Sequence, residues 1–141
     1  MATASTPSSF AVFHNKDTLN GAPDKLLGPE GKQGKIYVKK SGDGRIVQKM
    51  FLQKGFDWIS TVKPLLPGCP DWCPATHFGY LESGTMGLEF PDGTTQTVRA
   101  GETYYVAPGH RPIISEDTVM FEFSQDPTYE KIAEKAASQA Q

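Results

Sequence analysis

Two stretches of this chain hold residues able to do chemistry together. One is His77-Phe78-Gly79-Tyr80-Leu81-Glu82-Ser83-Gly84, and the other is Gly101-Glu102-Thr103-Tyr104-Tyr105-Val106-Ala107-Pro108-Gly109-His110. Each sets a histidine beside a β-rich apolar segment, and the chain between them reads as strand, turn, strand. Imidazole is largely neutral near neutral pH and is a common metal ligand. Two of the three histidines lie in these stretches, so a buried metal or small-molecule site is the first expectation. His14 lies in the N-terminal stretch, where a solvated side chain is expected.

Strand geometry sharpens this. Alternate residues of a strand share a face, so an inward His77 carries Gly79, Leu81 and Ser83 inward and turns Tyr80 and Glu82 outward. Gly79 would leave room for a ligand beside a metal. Glu122, between Phe121 and Phe123, becomes a candidate acid or base if the phenylalanines face out, a parity the sequence leaves open. Phe56, Trp58, Trp72, Tyr104 and Tyr105 could line a pocket, although such residues more often build core or interface. Glu82 and Glu89 read as solvated strand positions.

The elements needed to position these residues are strands. With 141 residues the chain suits one domain with a real core. Its 14 Gly and 11 Pro fit short strands joined by tight turns better than a helix bundle. Strands are expected at Ile36–Val38, Ile46–Leu52, Phe78–Leu81, Met86–Phe90, Thr95–Val98, Thr103–Val106, Pro112–Ile114 and Val119–Phe123. Asp43-Gly44 and Asp92-Gly93 mark hairpin turns. Phe56, Trp58 and Val62 alternate with polar residues and read as a further strand. Five of the eleven residues 64–74 are Pro or Gly, so a shaped loop is expected there. Three segments result: an extended arm over 1–35, with Phe10, Val12 and Phe13 able to cover a sheet edge, a β-barrel over 36–125, and a tail over 126–141. Asp126-Pro127 starts a short C-terminal helix near 127–137. A closed antiparallel jelly-roll barrel is the leading architecture and an open sandwich the second.

At these residues the chain resembles the cupin superfamily, small β-barrels with two motifs around one metal. Gly101, five residues, then Ala107-Pro108-Gly109-His110 is similar to the second cupin motif, whose last His is a ligand. In the first motif two histidines flank one residue and a Glu and a Gly follow. Counted back from Gly84, His77 stands where the Glu belongs, and Cys73 and Asp71 where the histidines belong. A subset of small cupins is closer, with a Cys four residues before a His, then Gly-Tyr, a Gly-ended strand, an Asp-Gly turn and Pro-Gly-His. The resemblance covers about residues 46–123. It implies a divalent metal ion, with zinc, iron, nickel and manganese not distinguished, held by His77, His110 and Cys73. Asp71 would be a fourth ligand or orient a histidine, or else a turn residue. Cys73 could equally be a small buried thiol; a disulfide with Cys69 fits the tight loop but is not expected in a reducing compartment. Ligand atoms on one ion stand roughly 3 to 3.5 Å apart.

The implied functions are a metal-dependent enzyme acting on a small polar molecule, or a non-catalytic small-molecule-binding or structural cupin without metal. A homodimer is expected because exposed strand edges must be covered. The net charge of −2 and the lack of a Lys/Arg cluster beyond Lys39-Lys40 argue against nucleic acid. No apolar run approaches the roughly 20 residues of a membrane helix. Met1–Ser9 lacks the apolar core of a secretory signal, and two cysteines make no disulfide scaffold, so a cytoplasmic protein is expected. No nucleophile triad or phosphate-cradling loop is recognisable.

Overall fold

The computed structural model describes residues 10–15 and 21–124. The strands among them are β1 (Lys25–Leu27), β2 (Gly34–Lys40), β3 (Ile46–Leu52), β4 (His77–Ser83), β5 (Thr85–Glu89), β6 (Thr95–Arg99), β7 (Thr103–Val106), β8 (Arg111–Ile113) and β9 (Thr118–Ser124). Both Asp-Gly hairpins form. Between β5 and β6 the Asp92 carboxylate accepts from the Thr94 N–H at 2.9 Å while Gly93 takes φ +87°. A left-handed residue of this kind matches the twist of the flanking strands.

The strands pair antiparallel in two sheets, β1-β2-β3-β9-β4-β7 and β6-β5-β8. The architecture is the all-β antiparallel one expected, with hydrogen bonding in two sheets rather than in one continuous ring. Ile36, Met50, Met120 and Leu81 fall in one register row across the large sheet. They join Met86, Leu88 and Val98 of the small sheet in a single buried cluster. The next row, Val38, Gln48, Glu122, Gly79 and Tyr104, also faces inward and carries most of the polar chemistry.

Two expectations change. The Phe56–Val62 stretch is not a strand. It holds a short helix α1 (Trp58–Thr61), because the Asp57 carboxylate accepts from the Ile59 and Ser60 N–H groups and nucleates a turn. Trp58 and Val62 are then one turn apart and both remain buried. Second, the stretch read as an extended arm contains β1, paired with β2 of its own sheet. Upstream, the Asn15 carbonyl accepts from Lys49 Nζ at 3.0 Å and the Gly21 carbonyl from Tyr37 Oη at 3.4 Å, so the arm is tied to its own chain at these two points while Phe10 and Val12 are exposed. Cys69 and Cys73 are both free thiols, one exposed and one buried, as expected. The helix expected near 127–137 lies outside the described residues.

The tightest connection is Gly84 between β4 and β5, at φ +82°, where an added Cβ would stand 2.6 Å from Thr118 Oγ1 and 2.8 Å from Thr118 Cα. Gly93 has a similar φ and nothing within 4 Å. In urea titrations Gly84→Ala should therefore lose about 2–4 kcal/mol of stability, from backbone strain and overpacking together. Gly93→Ala should lose only about 1–2 kcal/mol, the backbone part alone.

Candidate metal and ligand site

The Pro-rich loop reaches the site because its ends are tied down. The Cys73 N–H donates to the His110 carbonyl at 2.9 Å, and the Gly109 N–H donates to the Cys73 carbonyl at 2.8 Å. This isolated antiparallel bridge places Cys73 and His110 side by side. The Arg111 guanidinium stacks 3.9 Å over the Trp72 ring and pairs with Glu89 at 2.7 Å, clamping the loop onto β5 and β8. Asp71 is exposed and bonds to Lys63, so it is a loop fastener and not part of the site.

His77 enters from the start of β4. As the alternation predicted, His77, Gly79 and Leu81 turn inward and Phe78, Tyr80 and Glu82 outward, but Ser83, expected inward, is exposed because the register shifts between Leu81 and Ser83. The rings of His77 and His110 meet edge to face with centroids 4.6 Å apart. Cys73 Sγ lies 3.4 Å from His77 Nε2, and the donor atoms of Cys73, His77 and His110 all lie within 4.8 Å of one another. The Cys73–His77 spacing is that of two ligands on one tetrahedral ion.

Each imidazole is held through its other nitrogen. His110 Nδ1–H donates to the Ala107 carbonyl at 2.6 Å, and His77 Nδ1–H to Glu122 Oε1 at 2.9 Å. Those bonds assign the tautomers and turn Nε2 of His77 toward the thiol. Glu122, only 2% exposed, receives a second bond from Tyr104 Oη on Oε2 at 2.6 Å. Its neighbours Phe121 and Phe123 lie on the other face, so Glu122 takes the inward parity that the sequence left open.

Gly79 has a different role from the one expected. A Cβ there would meet the Phe121 carbonyl, Tyr104 Oη at 2.9 Å and Glu122 Cγ at 3.0 Å. The space it leaves is filled by the Tyr104–Glu122 bond rather than by a ligand. Sequence reasoning missed Tyr104 as Glu122's partner. The clue was present, since a strand glycine marks a close approach by another group.

The electrostatics follow from these contacts. Burial raises the Cys73 thiol, but its side-chain hydrogen bonds with His110 and His77, the His77 charge and the Ala75 backbone outweigh it and lower its pKa to about 6. For His77, burial works against the proton, but the Glu122 carboxylate and the Cys73 sulfur raise its pKa to about 10. Burial, then Glu122, raises Tyr104. The ion-free site therefore holds an imidazolium–thiolate pair beside a buried carboxylate. In a Cys69→Ser background without metal, the ultraviolet thiolate absorbance of Cys73 should persist down to about pH 6 and vanish below it. Loss of that band near pH 8 to 9, where an ordinary cysteine titrates at about 8.5, would contradict this electrostatic account.

The donor triad borders a cavity of about 60 Å³ lined mainly by apolar groups, among them Met50, Trp58, Met86, Leu88, Val106 and Met120. Of the five aromatics considered as pocket residues, Trp58 and Tyr104 line this cavity and Phe56 an adjoining one. Trp72 lies under Arg111, and Tyr105 is exposed on the outer face.

No protein-family model and no curated protein matches the sequence. Solved structures do match. Ectoine synthase from P. lautus is 13% identical with a TM-score of 0.60, covering 91% of this chain and 87% of that one. Protein NMB1881 from Neisseria meningitidis is 17% identical with a TM-score of 0.52, covering 81% and 98%. A cupin-2 domain containing protein from Shewanella frigidimarina is 15% identical with a TM-score of 0.48, covering 83% and 95%. At such identities the likeness concerns the fold, not the reaction. With its two antiparallel sheets and a histidine from each of two separated motifs meeting between them, this chain shares its fold with the ectoine synthase structure.

Proposed function

We propose that Cys73, His77 and His110 hold one divalent metal ion at the edge of the cavity, and that the protein acts through it on a small molecule bound inside. The observation that carries this reading is the convergence of one sulfur and two imidazoles with each ring anchored at Nδ1. A thiolate and two imidazoles suit borderline-soft ions such as zinc, iron and nickel better than magnesium or calcium. Three protein donors leave a coordination position for water or substrate, the pattern of a catalytic rather than a structural site. A bound ion would supply a Lewis acid able to polarise an oxygen of the bound molecule.

The chain's own residues do the rest. The low pKa of Cys73 presents the sulfur as thiolate without the full cost of deprotonation. Glu122 keeps the proton of His77 on Nδ1, and Tyr104 keeps Glu122 in place. The apolar wall excludes water and strengthens every charge interaction inside. That wall favours a less polar substrate than the small polar molecule the sequence suggested.

Equilibrium dialysis against zinc or cobalt, with elemental analysis, should give one ion per chain. His77→Ala and His110→Ala should abolish binding. Cys73→Ser should weaken it and remove the thiolate-to-cobalt charge-transfer band, because the soft donor is gone. Glu122→Gln should weaken binding about 10- to 100-fold by loosening His77. Wild-type protein that binds no more metal than the His77→Ala variant would refute the reading.

A homodimer belongs to the same reading. The outer face of β4, β7 and β9 presents Phe78 at 59% exposure, Tyr105 at 67% and Phe123 at 49%, with Phe78 and Tyr105 directly paired across the strands. A contiguous aromatic patch of this kind is characteristic of an interaction surface. Sedimentation should show a dimer, converted to monomer by Phe78→Glu together with Tyr105→Glu while the circular dichroism spectrum stays unchanged. A monomeric wild-type protein would refute it.

A further inference from the structure

Beyond the donor triad the cavity continues into a second chamber of about 80 Å³, walled by Leu27, Ile36, Leu52, Phe56, Trp58 and Val62. The two chambers share Met50, Leu52, Trp58, Cys73, His77 and Pro112. Together they are close in size to an engineered cavity of roughly 150 Å³ that takes up benzene.

Besides the shared Cys73 and His77, one further polar side chain lines this chamber. Gln48 lines the second chamber and is only 2% exposed, and its Oε1 has no hydrogen-bond partner among the described residues. Native proteins keep few such orphans, because a buried acceptor that has lost water and gained nothing is destabilising. A resident water does not solve the problem readily, since it needs two to four polar partners and, apart from the donor-triad members Cys73 and His77, the wall around Gln48 is apolar. Gln48 also has a defined position relative to the triad. Its Cα pairs with that of Glu122 across β3 and β9, about one strand spacing (~4.8 Å) away, and Glu122 bonds His77.

We infer that the two joined chambers bind an uncharged, mainly apolar molecule about the size of a benzene ring, which reaches into the second chamber and donates one O–H or N–H to Gln48 Oε1. A charged ligand is excluded by the cost of desolvating it among Leu27, Ile36 and Phe56. The pairing explains why an acceptor is retained where leucine would pack. It is a specificity device, since a site built to accept a hydrogen bond rejects an analogue that lacks the donor. The chamber claim stands on its own walls. It rests on the proposed metal reading only in placing the molecule's other end beside the ion.

The test uses phenol and benzene, matched in shape and differing by one donor, with full-length protein both chelated and zinc-loaded. Binding is followed by titration calorimetry. Phenol is the better hydrated of the two, so a chamber without an acceptor should prefer benzene. Wild-type protein should bind phenol at least as tightly as benzene in both metal states. Gln48→Leu and the more nearly isosteric Gln48→Met should shift the phenol-to-benzene affinity ratio toward benzene by tenfold or more. Both variants should keep one zinc per chain and melt no lower than wild type, because an orphaned acceptor has been removed. Benzene bound more tightly than phenol by wild type, or an affinity ratio unchanged within twofold in both variants, would overturn the inference. Zinc stoichiometry reports the metal reading separately, so the failure of one is distinguishable from the failure of the other.

Discussion

A carboxylate buried to 2% exposure must be satisfied on both oxygens, and much of the site depends on how Glu122 meets that requirement. Its partners come from two other strands, His77 at the head of β4 and Tyr104 in β7. The three strands are neighbours in the large sheet, in the order β9-β4-β7. Tyr104 can reach across β4 only because Gly79 has no side chain in the way. Removing one partner of such a group leaves a charge in a low-dielectric setting, which costs more than the pair contributes when intact. The polar row is therefore one unit with the backbone that carries it.

The second half of the site is assembled by main-chain bonds. Cys73 comes from a loop whose prolines forbid regular structure, yet its N–H and C=O are both engaged by the Gly109–His110 turn. That satisfies the backbone of a buried residue and places the thiol against two imidazoles. The resulting imidazolium–thiolate pair stores charge of both signs in a small volume. A divalent ion would replace the imidazolium proton with a stronger and more central positive charge, which links the ion-free electrostatics to the proposed metal chemistry.

The two sheets divide the remaining work. The inner face of the large sheet supplies both polar groups and apolar wall, so the cavity is shaped by the same residues that hold the fold together. Gln48 is the exception, a polar group at a core position with an unanswered acceptor. Departures from good packing of this kind are expected where function competes with stability. The outer face breaks the usual rule in the opposite direction, with Phe78, Tyr105 and Phe123 exposed where polar residues would normally lie.

Much of this was legible in the sequence, and the reason is period and turn chemistry. Alternation over 77–81 set the inward face of β4, and Asp92-Gly93 set the β5–β6 hairpin, because both are local properties of a few successive residues. His77 and His110 stood out because each lies at the border of a strand with a glycine nearby. The Phe56–Val62 stretch was misleading, since a two-residue alternation around Asp57 also fits a capped helical turn. Glu122's parity, the release of Asp71 to Lys63, the role of Gly79 and the orphaned Oε1 of Gln48 needed the tertiary structure. Apart from the Asp71–Lys63 contact, which closes within one irregular loop, each depends on which strand lies beside which, and that is decided by long-range packing and register rather than by anything within reach of a short stretch of chain.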